Sequence, residues 1–317
     1  PPALEDIRAA RDRIAAIALR TPLLRLQLPD LPGAPTLHLK LETLQPIGSF
    51  KIRGAANAIL SAGRRAIERG VVTASAGNMA QGVAYVAKQF GVPCSVMVPD
   101  NAPEAKTAAV ERLGAKVIRL PFDEWWSALE RHGHPDIEGF FVHSVCDPAV
   151  IAGNGTIGLE IAEDLPETDV ILVPYGGGGL SSGIASAARH VLPRARVYGC
   201  EVETATPLRA SLEAGEPVRV SHRPSFVDGI GGKSFLPEMW PLVRSVLAGS
   251  IVVSLEETAR AVRLLVERAR VVAEGAGATS LAAALRGETG SGTVVCVISG
   301  GNLDTANLAT ILSGGVP

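Results

Sequence analysis

An α/β fold built from parallel sheets in two lobes is what this sequence predicts, and three observations lead there. From Val71 onward, short apolar runs alternate with helical stretches, and glycine or proline marks the changeovers. Alternation at that spacing implies βαβ units, whose helices cover both faces of a parallel sheet. The pattern runs once within roughly residues 61–147 and again after it, so two lobes with a cleft between them are expected. Finally, 317 residues of which 47% are hydrophobic suit about two domains with sizeable cores.

The elements follow in order. Residues 4–19 carry apolar side chains at helical spacing (Ile7, Ile14, Ile17) and stop before Thr21-Pro22. Residues 23–28 and 37–41 read as strands. In the second, Leu37, Leu39 and Leu41 alternate with His38, Lys40 and Glu42, so Lys40 is expected to face solvent. A lysine-bearing stretch, Ile47 to Ala55, leads into a helix ending near Leu60. Strands are then expected at 71–74, 93–98, 116–120 and 139–143, with helices at 79–90, 103–113 and 124–132 between them. The second half offers helix 155–163, strand 170–174, helix 180–191 and strand 196–201. A looser Pro- and Arg-rich stretch, 202–232, precedes strand 251–254, helices 255–268 and 277–285, and strand 293–298. No repeat, low-complexity tract or charge block interrupts them.

Composition narrows the class. A formal charge of −2 carries no nucleic-acid footprint. No apolar run approaches the ~18 residues of a membrane span, and no basic-then-apolar leader precedes the first helix. Cys94, Cys146, Cys200 and Cys296 are scattered, with no C-x-x-C and no histidine at metal-ligand spacing. They read as buried small hydrophobes in a reducing compartment, and a cytoplasmic protein is expected.

Three stretches stand where strands run into helices, the place where open α/β sheets bind ligands, and a lysine stretch accompanies them. Lys51 lies among Phe50, Ile52 and Ala55. Partial desolvation there lowers an ammonium's pKa and makes a nucleophile able to form a Schiff base. Taken alone, the stretch reads first as a helix-start lysine snorkelling to water, and the glycine and serine motifs reverse that order. Gly176-Gly177-Gly178-Gly179, between a strand and the helix from Leu180, leaves backbone amides free at a helix N-terminus, a natural phosphate cup. A flexible linker would not join a buried strand directly to a helix. A dinucleotide site would use Glu201 as its ribose acid, but G-x-G-x-x-G fails at Ser181. Ser75-Ala76-Gly77-Asn78 can be an ordinary helix cap, or can offer amides to a carboxylate with Ser75 as a proton relay. Ser299-Gly300-Gly301-Asn302 ends a strand, either as a turn or with a hydroxyl set against the ring nitrogen of a heteroaromatic.

Lysine, phosphate cup and ring-nitrogen hydroxyl together describe a pyridoxal phosphate site. The sequence resembles the serine/threonine dehydratase (ammonia-lyase) and serine racemase branch of the fold-type II PLP enzymes, nearly end to end. The marks are Gly48 to Ala55 (GSFKIRGA), Ser75 to Asn78, Pro148 to Thr156 (PAVIAGNGT), Gly176 to Leu180, Asp228-Gly229 and Ser299 to Asn302. The resemblance implies a tryptophan synthase β-like fold with pyridoxal 5'-phosphate in the cleft. Residues 1–60 and 148–317 would form a large cofactor domain and 61–147 a small mobile one.

It further implies that Lys51 holds the cofactor as a Schiff base and moves protons at Cα. Phe50 would lie against the ring, Asn78 on its hydroxyl, and Gly176, Gly177, Gly178, Gly179 and Leu180 around the phosphate. Ser299, beside Gly300, would meet the pyridine nitrogen, and Glu274 the cofactor's outer edge. Ser75, Ala76, Gly77, Asn78 and Met79 would bind the substrate. The expected reaction is elimination of water from a β-hydroxy-α-amino acid, giving a 2-oxo acid and ammonia. A homodimer acting on a small amino acid is implied as well. The chain ends soon after Ser299, so no appended regulatory domain is expected.

Departures from the family pattern sharpen this. Racemases of the branch carry a second serine after the one at 75; here Ala76 has no proton to give, so elimination is expected ahead of racemisation. In the family's divalent-cation loop Glu201 and Ala205 match, but Pro207 supplies no carboxylate. A monovalent cation or none is therefore expected. Met79 stands for a common histidine, His143 to Pro148 reads HSVCDP in place of HPFDDP, and Tyr175 replaces a small apolar residue. These changes leave the choice among hydroxyamino acids open, from serine and threonine to a bulkier β-substituted one. Cysteine synthases share the fold with a different lysine motif. The competing class is a protein that carries the cofactor without turnover, which release of a 2-oxo acid would separate.

Overall fold

The computed structural model describes residues 1–28, 36–290 and 292–317. After α1 (Leu4–Ile14) come β1 (Leu23–Arg25), β2 (Thr36–Leu41) and α2 (Lys51–Ala62). A β/α run follows: β3 (Val71–Ala74), α3 (Asn78–Phe90), β4 (Cys94–Pro99), α4 (Glu104–Arg112), β5 (Lys116–Leu120), α5 (Phe122–Glu130) and β6 (Phe140–Phe141). The rest is α6 (Pro148–Asp164), β7 (Val170–Pro174), α7 (Gly179–Val191), β8 (Arg196–Val202), α8 (Pro207–Ala214), α9 (Trp240–Val246) and β9 (Gly249–Val253). It closes with α10 (Leu255–Leu264), α11 (Gly275–Leu285), β10 (Thr293–Ile298) and α12 (Thr305–Leu312).

Two sheets result, in the orders β1-β2-β10-β7-β8-β9 and β5-β4-β3-β6. Among the described residues, every strand pairing is parallel except β1 on β2, an antiparallel edge. In the larger sheet the order doubles back between β10 and β7, and in the smaller one at β3, which lies between β4 and β6. A strand order that reverses opens a crevice at the carboxyl ends of the strands. The loops leaving β3, β7 and β10 are Ser75–Asn78, the four glycines and Ser299–Asn302, so topology alone directs all three at one another. The larger sheet is covered by α10 and α11 on one face and by α6 and α7 on the other. Helix α2 lies against both α3 and α6, and its Ile52, Ala55 and Ile59 share a core with Val83, Ala87 and Val96.

Lys40 corrects a sequence expectation. It is fully buried, its ammonium 2.6 Å from Glu160 and donating to the Thr21 carbonyl at 2.6 Å. Strand β2 lies between β1 and β10 with both faces covered, so alternation no longer separates core from solvent. Beside it, Arg53 spans Glu42 (2.8 Å) and Glu160 (2.6 Å), all three buried. Burial raises the Glu160 carboxyl, but Arg53 and Lys40 outweigh it and hold the group below its ordinary value.

Four further differences concern where elements begin, end or occur. Helix α6 begins at Pro148, well before residue 155, because Pro148 takes the first turn behind the Asp147 cap. Its glycines cost helix propensity, but every residue from Val150 to Ile161 is buried between neighbours. The expected helix 255–268 is α10 followed by a π turn, Leu265–Ala269, and strand 139–143 shrinks to β6. Helices α8, α9 and α12 fall in stretches where none was expected. Among the described residues, no helix is long and apolar enough to cross a membrane.

Candidate active site

A cavity of about 340 Å³ opens between the two sheets. Of the residues singled out from sequence, Phe50, Lys51, Ser75, Ala76, Gly77, Asn78, Met79, the four glycines, Leu180, Glu274 and Ser299 all line it. Gly300 stands one layer behind: a Cβ there would lie 2.6 Å from Glu274 Oε1. Glu201 and Ala205 lie elsewhere.

Lys51 opens α2 directly after a loop stitched to the end of β10. Phe50 N–H donates to the Ser299 carbonyl at 3.0 Å, and Gly301 N–H to that of Gly48 at 2.8 Å. The lysine therefore starts its helix facing the carboxyl ends of the larger sheet. Its Nζ donates to the Ser144 carbonyl at 3.0 Å and stands 5.2 Å from the centre of the Phe50 ring. Burial brings the ammonium down to about 8, opposed by the charge of Glu274. Burial pushes the Glu274 carboxyl up to about 7, against the pull of the Asn78 amide. Asn78 Nδ2 donates to Glu274 at 2.9 Å, and Asn302 Nδ2 donates in turn to Asn78 Oδ1 at 2.8 Å. This relay fixes the start of α3 against the rim of the larger sheet.

The glycine stretch forms a cup. Gly178 caps α7 with φ +93, a conformation that favours glycine. Side chains at Gly177 or Gly179 would stand 2.6 Å from Val145 atoms. The first-turn amides of α7 have no partner within the helix, so the cup presents N–H groups and a positive dipole end to the cavity. On the far side, Ser75 Oγ accepts from Gly77 N–H at 3.2 Å, and the start of α3 turns its own free amides inward. A depressed lysine, an anion cup with no side chain in it, a second amide site and the Ser299 hydroxyl are what an aldehyde-bearing, phosphorylated pyridine needs. The residues present fit pyridoxal phosphate.

Sequence reading gave no site role to several wall residues. Lys106 and Asp228 meet at 2.6 Å across the mouth, one from α4 and the other from the loop after α8. Lys106 is one of only six lysines, which was the available signal. Trp125, whose indole N–H donates to the Met97 carbonyl at 3.2 Å, gave none, and Val145 was seen only as part of the departing stretch His143 to Pro148. Tyr175 stays outside the wall: it is buried beneath the cup, edge-on to Phe235, with ring centroids 6.3 Å apart. Glu201 is already engaged by Leu208 N–H (2.7 Å), Arg209 N–H (2.9 Å) and the Ser250 hydroxyl (2.6 Å). It acts as a cap for α8.

A family model described as pyridoxal-phosphate dependent enzyme matches residues 14–300. An L-threonine ammonia-lyase of Thermotoga maritima is 42% identical over 316 residues, 99% of this chain and 79% of that one. Among solved structures, maize serine racemase superposes with a TM-score of 0.88 at 32% identity, covering 99% of this chain and 97% of that chain. A T.th. threonine deaminase does so with a TM-score of 0.87 at 37% identity, covering 96% of this chain and 99% of that chain.

Proposed function

The chain belongs to the pyridoxal-phosphate dependent enzyme family, and on that premise we propose that it is an ammonia-lyase removing water from a β-hydroxy-α-amino acid such as L-threonine or L-serine. The observation that carries this is the gathering of Lys51, the glycine cup and the Ser75–Asn78 turn around one cavity. The threonine ammonia-lyase and threonine deaminase relatives support the same reaction.

Lys51 is the residue that would carry the cofactor, with Gly176 to Leu180 on its phosphate and Ser299 on the ring nitrogen. When bound, pyridoxal phosphate supplies an electron sink for the bond between Cα and its hydrogen. The amides at the start of α3 hold the substrate carboxylate and so orient Cα toward Lys51 Nζ. With its pKa lowered to about 8, the lysine amine takes the Cα proton at neutral pH more readily than an exposed lysine would. The Ser299 hydroxyl would not protonate the ring nitrogen as a carboxylate can, so the ring would be a weaker electron sink and loss of the β-hydroxyl would be favoured. Water leaves, and the product hydrolyses to a 2-oxo acid and ammonia.

Ala76 lines the cavity and offers a methyl where the racemases of the resembling branch carry a serine, which supports elimination over racemisation. We also assign residues 1–60 with 148–317 and residues 61–147 as the two domains, the cytoplasm as location and a homodimer as assembly. The four free thiols support the location, and the resemblance supports the dimer. A monovalent cation would have to bind without the Glu201 oxygens already in use. The experiment is to load the protein with pyridoxal phosphate and screen β-hydroxy-α-amino acids. Equal amounts of 2-oxo acid and ammonia are expected; interconversion of L- and D-serine at the same rate as pyruvate formation would overturn the elimination assignment.

A further inference from the structure

Outside the cavity, four side chains meet where the segment after α5, the loop before α6 and the 3-10 turn Pro237–Met239 come together. They are His132, His143, Cys146 and Glu238, and one donor atom of each lies within 4.8 Å of all the others. The wide spacing in sequence gives no metal motif; the fold assembles it. His132 Nε2 stands 3.6 Å from Cys146 Sγ and 3.5 Å from Glu238 Oε1. With nitrogen and oxygen at about 2.0–2.1 Å and sulfur at about 2.3 Å, tetrahedral zinc sets its ligands roughly 3.3–3.6 Å apart. Both separations from His132 are therefore those of tetrahedron edges, and the third pair, Cys146 with Glu238, lies within 4.8 Å.

We propose that His132, Cys146 and Glu238 bind a divalent cation of the zinc class. Imidazole, thiolate and carboxylate suit that class, whereas magnesium and calcium take oxygen ligands. His143 plays a supporting part. It is buried, its ring centroid is 4.7 Å from that of His132, and its Nδ1 accepts the amide N–H groups of Val145 and Cys146 at 3.1 Å each. It thus holds the Cys146 loop and leaves the fourth corner to water. On binding, metal–sulfur, metal–nitrogen and metal–oxygen bonds form and the thiol proton passes to solvent, with no change of oxidation state.

The site's placement gives it a consequence. His132 follows a helix of the smaller sheet and Glu238 belongs to the turn before α9, so one ion ties the two sheet units together. Cys146 is the next residue after Val145, whose atoms overlie Gly177 and Gly179, and lies two after Ser144, the acceptor of Lys51. Val145 and Ser144 line the cavity whereas Cys146 does not.

The test is made on the cofactor-loaded protein, stripped with chelator, dialysed against zinc chloride and assayed for bound zinc. Thermal unfolding is followed with and without the ion. Wild type is expected to retain one zinc per chain and to unfold at a higher temperature with it, since the folded state alone presents the site. His132→Gln, Cys146→Ser and Glu238→Gln should each weaken zinc binding at least about tenfold and abolish the shift, while the exposed control His222→Gln keeps both. His132 and Glu238 are exposed, so their variants fold even if Cys146→Ser does not. Substoichiometric zinc in wild type, or undiminished binding in the His132 and Glu238 variants, would overturn the proposal.

Discussion

Burial moves the two titratable groups facing each other in the cavity in opposite directions, and both shifts are measurable. Glu274 has its carboxyl raised from an ordinary 4.5 to about 7. A raised folded value means stability fully present below about 4.5 and lost as pH rises through about 7. Its span corresponds to about 3 kcal/mol. Urea unfolding of the cofactor-free chain between pH 4.5 and 8 should show that decline, and Glu274→Gln should flatten it; an unchanged slope would refute the shift. Lys51 is lowered to about 8, so uptake of pyridoxal phosphate by the cofactor-free chain should rise with pH about a midpoint near 8, read by absorbance. The lysine was legible because its apolar neighbours are adjacent in sequence. Glu274 was named through the resemblance alone, and its raised carboxyl was not legible, because the segments that bury it and bring up Asn78 and Asp228 are distant in sequence. Lys40 was misread for a related reason: alternation reports which side chains share a face, not whether that face is covered.

At the scale of elements, the start of α7 is where backbone conformation and ligand chemistry coincide. Gly178→Ala forces a side chain onto φ +93 and to within 3.0 Å of Val243 Cγ2. About 1–2 kcal/mol of stability and a clear loss of cofactor affinity are expected, measured by denaturant unfolding and cofactor titration. Four glycines in a row announce such a turn in any sequence. Helix α6 was only half legible, since Gly153, Gly155 and Gly158 argue against a helix until α2 and α7 are present to cover it. The ion network behind α2 was invisible for the same reason: Arg53 sits in the lysine motif, but Glu160 is 107 positions away. Arg53→Met leaves Glu160 buried beside Lys40 and Glu42 buried with only the neutral donors Thr21 and Gln45, and should cost about 3–5 kcal/mol by urea unfolding.

For the whole molecule, two sheets turn the carboxyl ends of β3, β7 and β10 toward one cavity. That arrangement followed from the order of strands, turns and helices, and the resemblance to known enzymes supplied the assignment of individual residues. The mouth did not follow from either, because the Lys106–Asp228 pair joins segments 122 residues apart. One substitution probes the choice of outcome: Ala76→Ser restores a proton donor across the substrate from Lys51, and should add measurable L- to D-serine conversion without abolishing elimination. The central claim is that the Lys51 amine does the proton chemistry in that cavity, and single-turnover elimination by wild type and Lys51→Ala, each loaded with pyridoxal phosphate, tests it most directly. Wild type should release 2-oxo acid and ammonia in equal amounts while Lys51→Ala releases neither; elimination at the wild-type rate in the variant would contradict the account.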